Sequence, residues 1–301
     1  MNHFIKLTFI FLSIGICSAT QAKINIFTCE PEWADLARKL GGDHVKVYSA
    51  TTAYQDPHRI EARPSLIAKV RRADLVVCTG AELEIGWLPM LQRQAGNSRI
   101  QNGQPGYFEA ASFVERMEIP QKIDRSQGDI HAFGNPHVHL DPRRIVKIAK
   151  HLAARLQQLD ANNRDYFKQQ YNKFENKWLN NINRWEKSAM PLNGKRVVTH
   201  HRDFIYLFDW LGIQSAGELE PKPGLPPSPG HLSRLKQNIK QDPAIAIIYT
   251  PYQDTRPAEW LSRETGVPHI IIPYTVGASD NANDLEGMFS ETINMLLKAI
   301  Q

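Results

Sequence analysis

Apolar positions follow two rhythms along this chain: short continuous runs, and stretches where they recur every third or fourth residue. The runs predict strands at Ile24-Asn25-Ile26-Phe27, Val45 to Tyr48 and Ala73 to Cys78. Between them, Glu32 to Leu40 reads as a helix closed by Gly41-Gly42, and Ser65 to Arg72 as a shorter one. Gln94 to Pro120, with its Gly, Pro and polar residues, reads as a loop followed by a short strand, and Asp124 to Asn135 as another loop. Strands alternating with helices at this spacing imply βαβ units and a parallel sheet.

Two helices come next. In the first, Ile145, Ile148, Leu152 and Leu156 share one face. In the second, Phe167, Tyr171, Phe174, Trp178, Ile182 and Trp185 stay in step from near Asp160 to about Met190. At about 1.5 Å per residue that is a rod of roughly 46 Å, with an aromatic stripe that calls for packing along most of its length.

The first pattern then returns. Arg196 to Thr199, Ala244 to Tyr249 and His269 to Ile272 read as strands; Phe204 to Leu211, Pro257 to Thr265 and a Ser228-Pro229-capped segment to about Gln241 read as helices. Leu285, Met288, Phe289, Ile293, Leu296 and Ile300 mark a last amphipathic helix. The order of elements repeats without a repeat in the sequence itself. The expected fold class is α/β, with two similar lobes, each a parallel sheet flanked by helices, joined by one long rigid helix. The lobes are placed at residues 23–159 and 191–301 and the linking helix at 160–190, behind a leader at 1–22.

The leader carries Lys6 as its one charged side chain, an apolar run from Leu7 to Ile16 and small residues before Lys23. It reads as a secretory signal cleaved after Ala22. Ile16 before Cys17 is bulkier than a lipoprotein signal favours, so a lipid anchor is not expected. Cleavage lowers the formal net charge from +5 to +4. The basic residues are scattered and form no dense run, which argues against a nucleic-acid partner. Export leaves Cys29 and Cys78 in a compartment that permits disulfides; each ends a strand, and both a disulfide and two buried thiols remain open.

The chemistry concentrates in histidines. Gly134-Asn135-Pro136-His137-Val138-His139-Leu140-Asp141-Pro142 sets two imidazoles on alternate residues of a segment read as extended, with Asp141 as N-cap and Pro142 at the first helical position. His58 follows Asp56-Pro57, and His201 follows the Val197-Val198 strand. In open α/β sheets ligands bind beyond the carboxyl ends of strands, where three neutral imidazoles suit Zn²⁺ and leave a fourth position free. His139 and His200 are weaker candidates, and His131 in the Asp129-Ile130-His131 loop is a candidate accessory ligand. His44, His151, His231 and His269 read as structural.

The order of signal peptide, Asp56-Pro57-His58 with Arg63-Pro64-Ser65, Ala73-Asp74-Leu75-Val76-Val77, Asn135-Pro136-His137-Val138-His139-Leu140-Asp141-Pro142, and His201 before an aromatic-rich helix resembles the zinc/manganese solute-binding proteins of bacterial ABC importers. The resemblance implies two α/β lobes joined by a rigid helix, metal held between them by His58, His137 and His201, a periplasmic and monomeric protein, and a membrane permease as partner. His201 is preferred over His200 by its spacing to Tyr206 and to the Leu211-Gly212 helix end. The family commonly adds an Asp after the last strand; here Ile270-Ile271-Ile272-Pro273-Tyr274-Thr275-Val276-Gly277 has no acid there. Asp280 or water is left for the fourth position. The long histidine-rich loop of many zinc members is also missing.

Ligation by imidazole alone favours zinc over manganese, with a manganese- or iron-binding protein of the same family as the alternative. A zinc hydrolase is the alternative of another class, but no His-Glu-x-x-His helix is present, and Glu61, three residues after His58, reads as part of a helix entry. No enzymatic activity is expected.

Overall fold

In the computed structural model, residues 23–122, 128 and 131–301 are described. The leader, Cys17, Asp124 and Asp129-Ile130 therefore lie outside the described residues. Among those described, no helix is long and apolar enough to cross a membrane.

The first half contains β1 (Ile24–Thr28), α1 (Pro31–Gly41), β2 (Val45–Ser49), α2 (Pro64–Arg71), β3 (Leu75–Cys78), α3 (Leu88–Ala95) and β4 (Tyr107–Glu109). Its four strands are parallel in the order β2-β1-β3-β4. The second half contains β5 (Arg196–Thr199), α6 (Ile205–Leu211), β6 (Gln214–Glu218), α7 (Pro229–Gln241), β7 (Ala246–Tyr249), α8 (Arg256–Thr265), β8 (His269–Ile271) and α9 (Leu285–Lys298). Its sheet, also parallel, has the order β6-β5-β7-β8. The two sheets thus share one topology, as the repeated element order predicted. The central strands β3 and β7 are buried at every position, the mark of strands covered on both faces.

Between the halves lie α4 (Pro142–Leu159) and α5 (Arg164–Ala189). The rod is shorter than the sequence suggested: 26 residues give about 39 Å. Asp160 leaves the helical region, its carboxylate takes the Asn163 side chain at 2.6 Å, and a 3-10 turn over Ala161–Asn163 separates the helices. At the far end Pro191 enforces a second 3-10 turn, Met190–Leu192. Two elements went unread in the sequence. Helix α3 is short, and β6, Gln214-Ser215-Ala216-Gly217-Glu218, is a polar edge strand with a register shift opposite Val197/Val198.

The aromatic stripe of α5 does what its period predicted. Phe167, Phe174, Trp178, Ile182 and Trp185 are buried, and Trp178 stacks on Phe174 with ring centroids 5.1 Å apart and meets Phe289 of α9 edge-on at 5.8 Å. One apolar core runs without a break from Ile24 and Trp33 through Trp178 to Val197, Ile248 and Phe289, so both sheets share it. Lys39 of α1 adds ion pairs to Asp284 (2.9 Å) and Glu286 (2.6 Å) at the start of α9. Cys29 and Cys78 form a disulfide, with Cα atoms 4.8 Å apart at the ends of neighbouring strands β1 and β3. That answers the question their sequence positions left open.

Candidate metal centre

Each of the three favoured histidines sits in a loop that follows a strand's carboxyl end. His58 comes after β2, His137 after β4 and His201 after β5. One nitrogen of each ring lies within 4.8 Å of the others, and ring centroids are separated by 5.7 Å (58–137), 5.9 Å (58–201) and 5.8 Å (137–201). Residues from both halves of the chain have been brought to one point.

The local sequence explains how each ring is aimed. Asp56-Pro57-His58 and Asn135-Pro136-His137 are one motif used twice. The Asx side-chain oxygen accepts the backbone N–H of the histidine two residues on (3.0 and 3.1 Å) and also its ring Nδ1–H (2.8 Å in both). Asn135 is oriented unambiguously, because its Nδ2 donates to the Arg202 carbonyl at 2.8 Å. In His201 the ring Nδ1 donates to Glu220 Oε2 at 2.7 Å. All three acceptors are oxygens, so all three neutral rings carry their proton on Nδ1 and present the Nε2 lone pair. The Nε2 atoms of His58 and His137 are buried and have no hydrogen-bond partner. Orphaned, buried imidazole nitrogens that face one another call for a shared cation.

The segment around His137 is fastened from several sides. Asp141 is the N-cap that its type predicted, accepting from Arg143 N at 2.8 Å with Pro142 beside it. The Pro142 carbonyl accepts Trp178 Nε1–H at 2.8 Å, which ties the ligand segment to the spine. Tyr206 of α6 donates to the Asn135 carbonyl at 2.6 Å and accepts Met117 N–H at 2.9 Å.

Val138–Leu140 is a 3-10 turn and not extended backbone, so His139 does not share the face of His137. It is fully buried, donates Nε2–H to the Tyr274 carbonyl at 3.0 Å, and has Nδ1 3.5 Å from Glu32. His200 lines the cleft without joining the cluster; its Nε2 lies 4.0 Å from Glu220. His131 stands beside the triad, with its ring 5.3 Å from that of His58 and 6.4 Å from that of His137. Asp280 is exposed and outside the cluster. The four histidines read as structural find partners elsewhere: His44 packs on Tyr166, His151 on Phe113, His231 donates to the Glu218 carbonyl, and His269 pairs with Tyr249.

A cavity of about 420 Å³ opens over the cluster, lined by His58, His201, Glu220, Tyr252, Gln253 and Asp254 among others. Burial, with the charges of His58 and His201 added, pushes the His137 imidazolium well below the usual histidine range. The same causes push His131 down to about 3. Burial works in that direction on His201 too, but the Glu220 hydrogen bond and the charges of Asp203, Glu220 and Asp56 outweigh it and hold this ring above the ordinary value. Asp203, wholly buried behind the cleft wall, is pushed up to about 7 by burial against the pull of His201. One of its carboxylate oxygens has no partner. Asp203 and Glu220 escaped the sequence reading, since nothing in their spacing announces contact with His201. Asp56 and Asn135 stand in the Asx-Pro-His motifs, and the doubling of that motif is the signal in the sequence for their orienting role.

The family model described as "ZnuA: Zinc-uptake complex component A periplasmic" matches residues 26–299. The chain belongs to this family. It is the substrate-binding component of a metal ABC transporter, with a permease and a metal ion as partners; members are solute-binding proteins and not enzymes. The manganese ABC transporter substrate-binding lipoprotein PsaA of Streptococcus pneumoniae is 26% identical over 90% of this chain and 86% of its own. The iron ABC transporter substrate-binding lipoprotein MtsA of Streptococcus pyogenes serotype M1 is 24% identical over 85% and 81%. Among solved structures, a crystal structure of ZnuA superposes with a TM-score of 0.78 at 19% identity, over 93% of this chain and all (100%) of that one. A Mn-bound periplasmic metal binding protein from Candidatus Liberibacter asiaticus gives 0.75 at 16% identity, over 92% and 100%. At these identities the structural likenesses establish the fold.

Proposed function

We propose that this protein binds Zn²⁺ in the periplasm through His58, His137 and His201 and hands it to the membrane permease of its importer. The observation that carries the reading is the donor set: three imidazoles from three loops, each locked on Nδ1 by an oxygen, with their ligating nitrogens turned to one point. Zinc accepts such nitrogen ligation at ~2.0–2.1 Å, whereas manganese is better served by carboxylate oxygen. Described relatives that carry manganese or iron keep those cargoes as the competing reading.

The locked tautomers serve capture, because no ring has to reorient before binding. Release is served by the cleft, which His58 and His201 line while His137 is buried beneath them. The Glu220 carboxylate also raises the basicity of the His201 ring. Any nitrogen and oxygen site binds Zn²⁺ more tightly than Mn²⁺, so the assignment is tested by uptake and not by competition in solution. Cells lacking this protein are expected to lose growth in zinc-depleted medium and to regain it with added zinc. Rescue by manganese and not by zinc would overturn the zinc reading and favour the manganese one.

A further inference from the structure

Three loops account for three ligands, and a fourth segment sets one more imidazole beside them, outside the group of nitrogens that lie within 4.8 Å of one another. His131 Nε2 is buried and has no hydrogen-bond partner, the same condition as the ligating nitrogens of His58 and His137. Resting on the zinc reading above, we propose that His131 is the fourth ligand of the metal, making the centre a four-imidazole site.

The spacing supports this quantitatively. Two imidazoles bound to one tetrahedral zinc at ~2.1 Å hold their ring centroids about 5.2 Å apart. The His58–His131 separation is 5.3 Å, closer to that value than any pair within the triad at 5.7 to 5.9 Å. The His131–His137 separation of 6.4 Å must shorten by roughly 1 Å, and His131, which stands outside the group of nitrogens lying within 4.8 Å of one another, must close on His201 as well, for all to meet one ion. The triad itself must contract by roughly half as much, so a modest inward settling of all four rings is required.

The backbone beside His131 is held as a ligand's should be. Ala132 N–H donates to Glu82 Oε2 at 2.5 Å, Gly134 N–H to the His131 carbonyl at 3.1 Å, and Asn135 N–H to the Met117 carbonyl at 2.8 Å. Glu82 reaches Ala132 from a run of three left-handed residues, Gly80, Ala81 and Glu82, with φ of 76°, 52° and 70°. Side chains rarely adopt that conformation, and two of these three residues carry one. Glu82 is therefore a positioning residue: it fixes His131 through the neighbouring amide. The competing fourth donor is an oxygen, either water or Asp203, whose one carboxylate oxygen is also unpartnered.

X-ray absorption at the zinc edge distinguishes these donors. Zinc-loaded wild type is expected to show four imidazole shells, and His131→Ala three with one light oxygen. In chelator competition His131→Ala should bind zinc at least ~10-fold more weakly, since even outer-shell partners of a metal are worth ~10–100-fold. Glu82→Ala, with His131 intact, should lose affinity in the same direction by a smaller factor. His137→Ala is the control for the site as a whole. If His131→Ala keeps wild-type affinity while His137→Ala loses zinc, or if wild type shows three imidazoles and one oxygen, His131 is not a ligand and the three-histidine centre stands. If neither variant alters zinc binding, the reading of the site falls and this proposal with it.

Discussion

Glu220→Ala separates the two effects that Glu220 exerts on His201. The carboxylate accepts the ring Nδ1–H at 2.7 Å and is itself fixed by Gly224 N–H at 2.9 Å, so it sets the direction of the Nε2 lone pair. Loss of an orienting partner of this kind costs ~10–100-fold in metal affinity, about 1.4–2.7 kcal/mol. The same hydrogen bond raises the His201 pKa against the opposing effect of burial. A proton on Nε2 excludes the metal, so in wild type zinc affinity falls as pH drops through this raised value, by about tenfold per unit below it. Without Glu220 only the charges of Asp203 and Asp56 oppose burial, so His201 protonates at lower pH and the variant resists acid better. The ratio of wild-type to variant affinity should therefore be largest at pH 8 and shrink towards pH 5.5. Competition with a chromophoric chelator across that range measures it, with thermal unfolding as a check that the variant is folded. Equal affinities at pH 8, or a ratio that grows in acid, would refute the reasoning.

Trp178→Ala removes a fully buried ring from the spine together with its bond to the Pro142 carbonyl; urea unfolding should show a loss of about 3–5 kcal/mol. Replacing both Cys29 and Cys78 with Ser opens a loop spanning 49 residues and should cost about 4 kcal/mol, read as a lower unfolding midpoint that reductant no longer changes. The core shared by both sheets leaves no free hinge, so small-angle scattering should show no large compaction when zinc is added; a drop in radius of gyration typical of domain closure would contradict the rigid-spine account.

The fold was legible where burial is one-sided or complete. The runs Leu75-Val76-Val77-Cys78 and Ala246-Ile247-Ile248-Tyr249 are strands covered on both faces, and the α5 stripe keeps a helical period through Trp178 and Trp185. It was illegible where polar edges take over: Gln214-Ser215-Ala216-Gly217-Glu218 pairs by backbone alone and carries no alternation to read. Caps were readable because their chemistry is local, as at Asp141 with Arg143 N and Ser228 with His231 N. The candidate ligand loops were visible as Asx-Pro-His, and the resemblance favoured His137 over His139, but reading the segment as extended put both rings on one face where a 3-10 turn separates them. Partners distant in sequence, such as Glu220 for His201 and Arg202 for Asn135, follow only from tertiary approach.

The central claim is that His58, His137 and His201 are the primary hold on the metal, and His137 tests it most directly because it is the buried floor of the cluster. The decisive measurement is the zinc content of the purified protein, wild type against His137→Ala, after dialysis against a weak chelator at pH 7.5. The account predicts close to one zinc per wild-type chain and a large loss in the variant. Stoichiometric zinc of unchanged affinity in His137→Ala would contradict it.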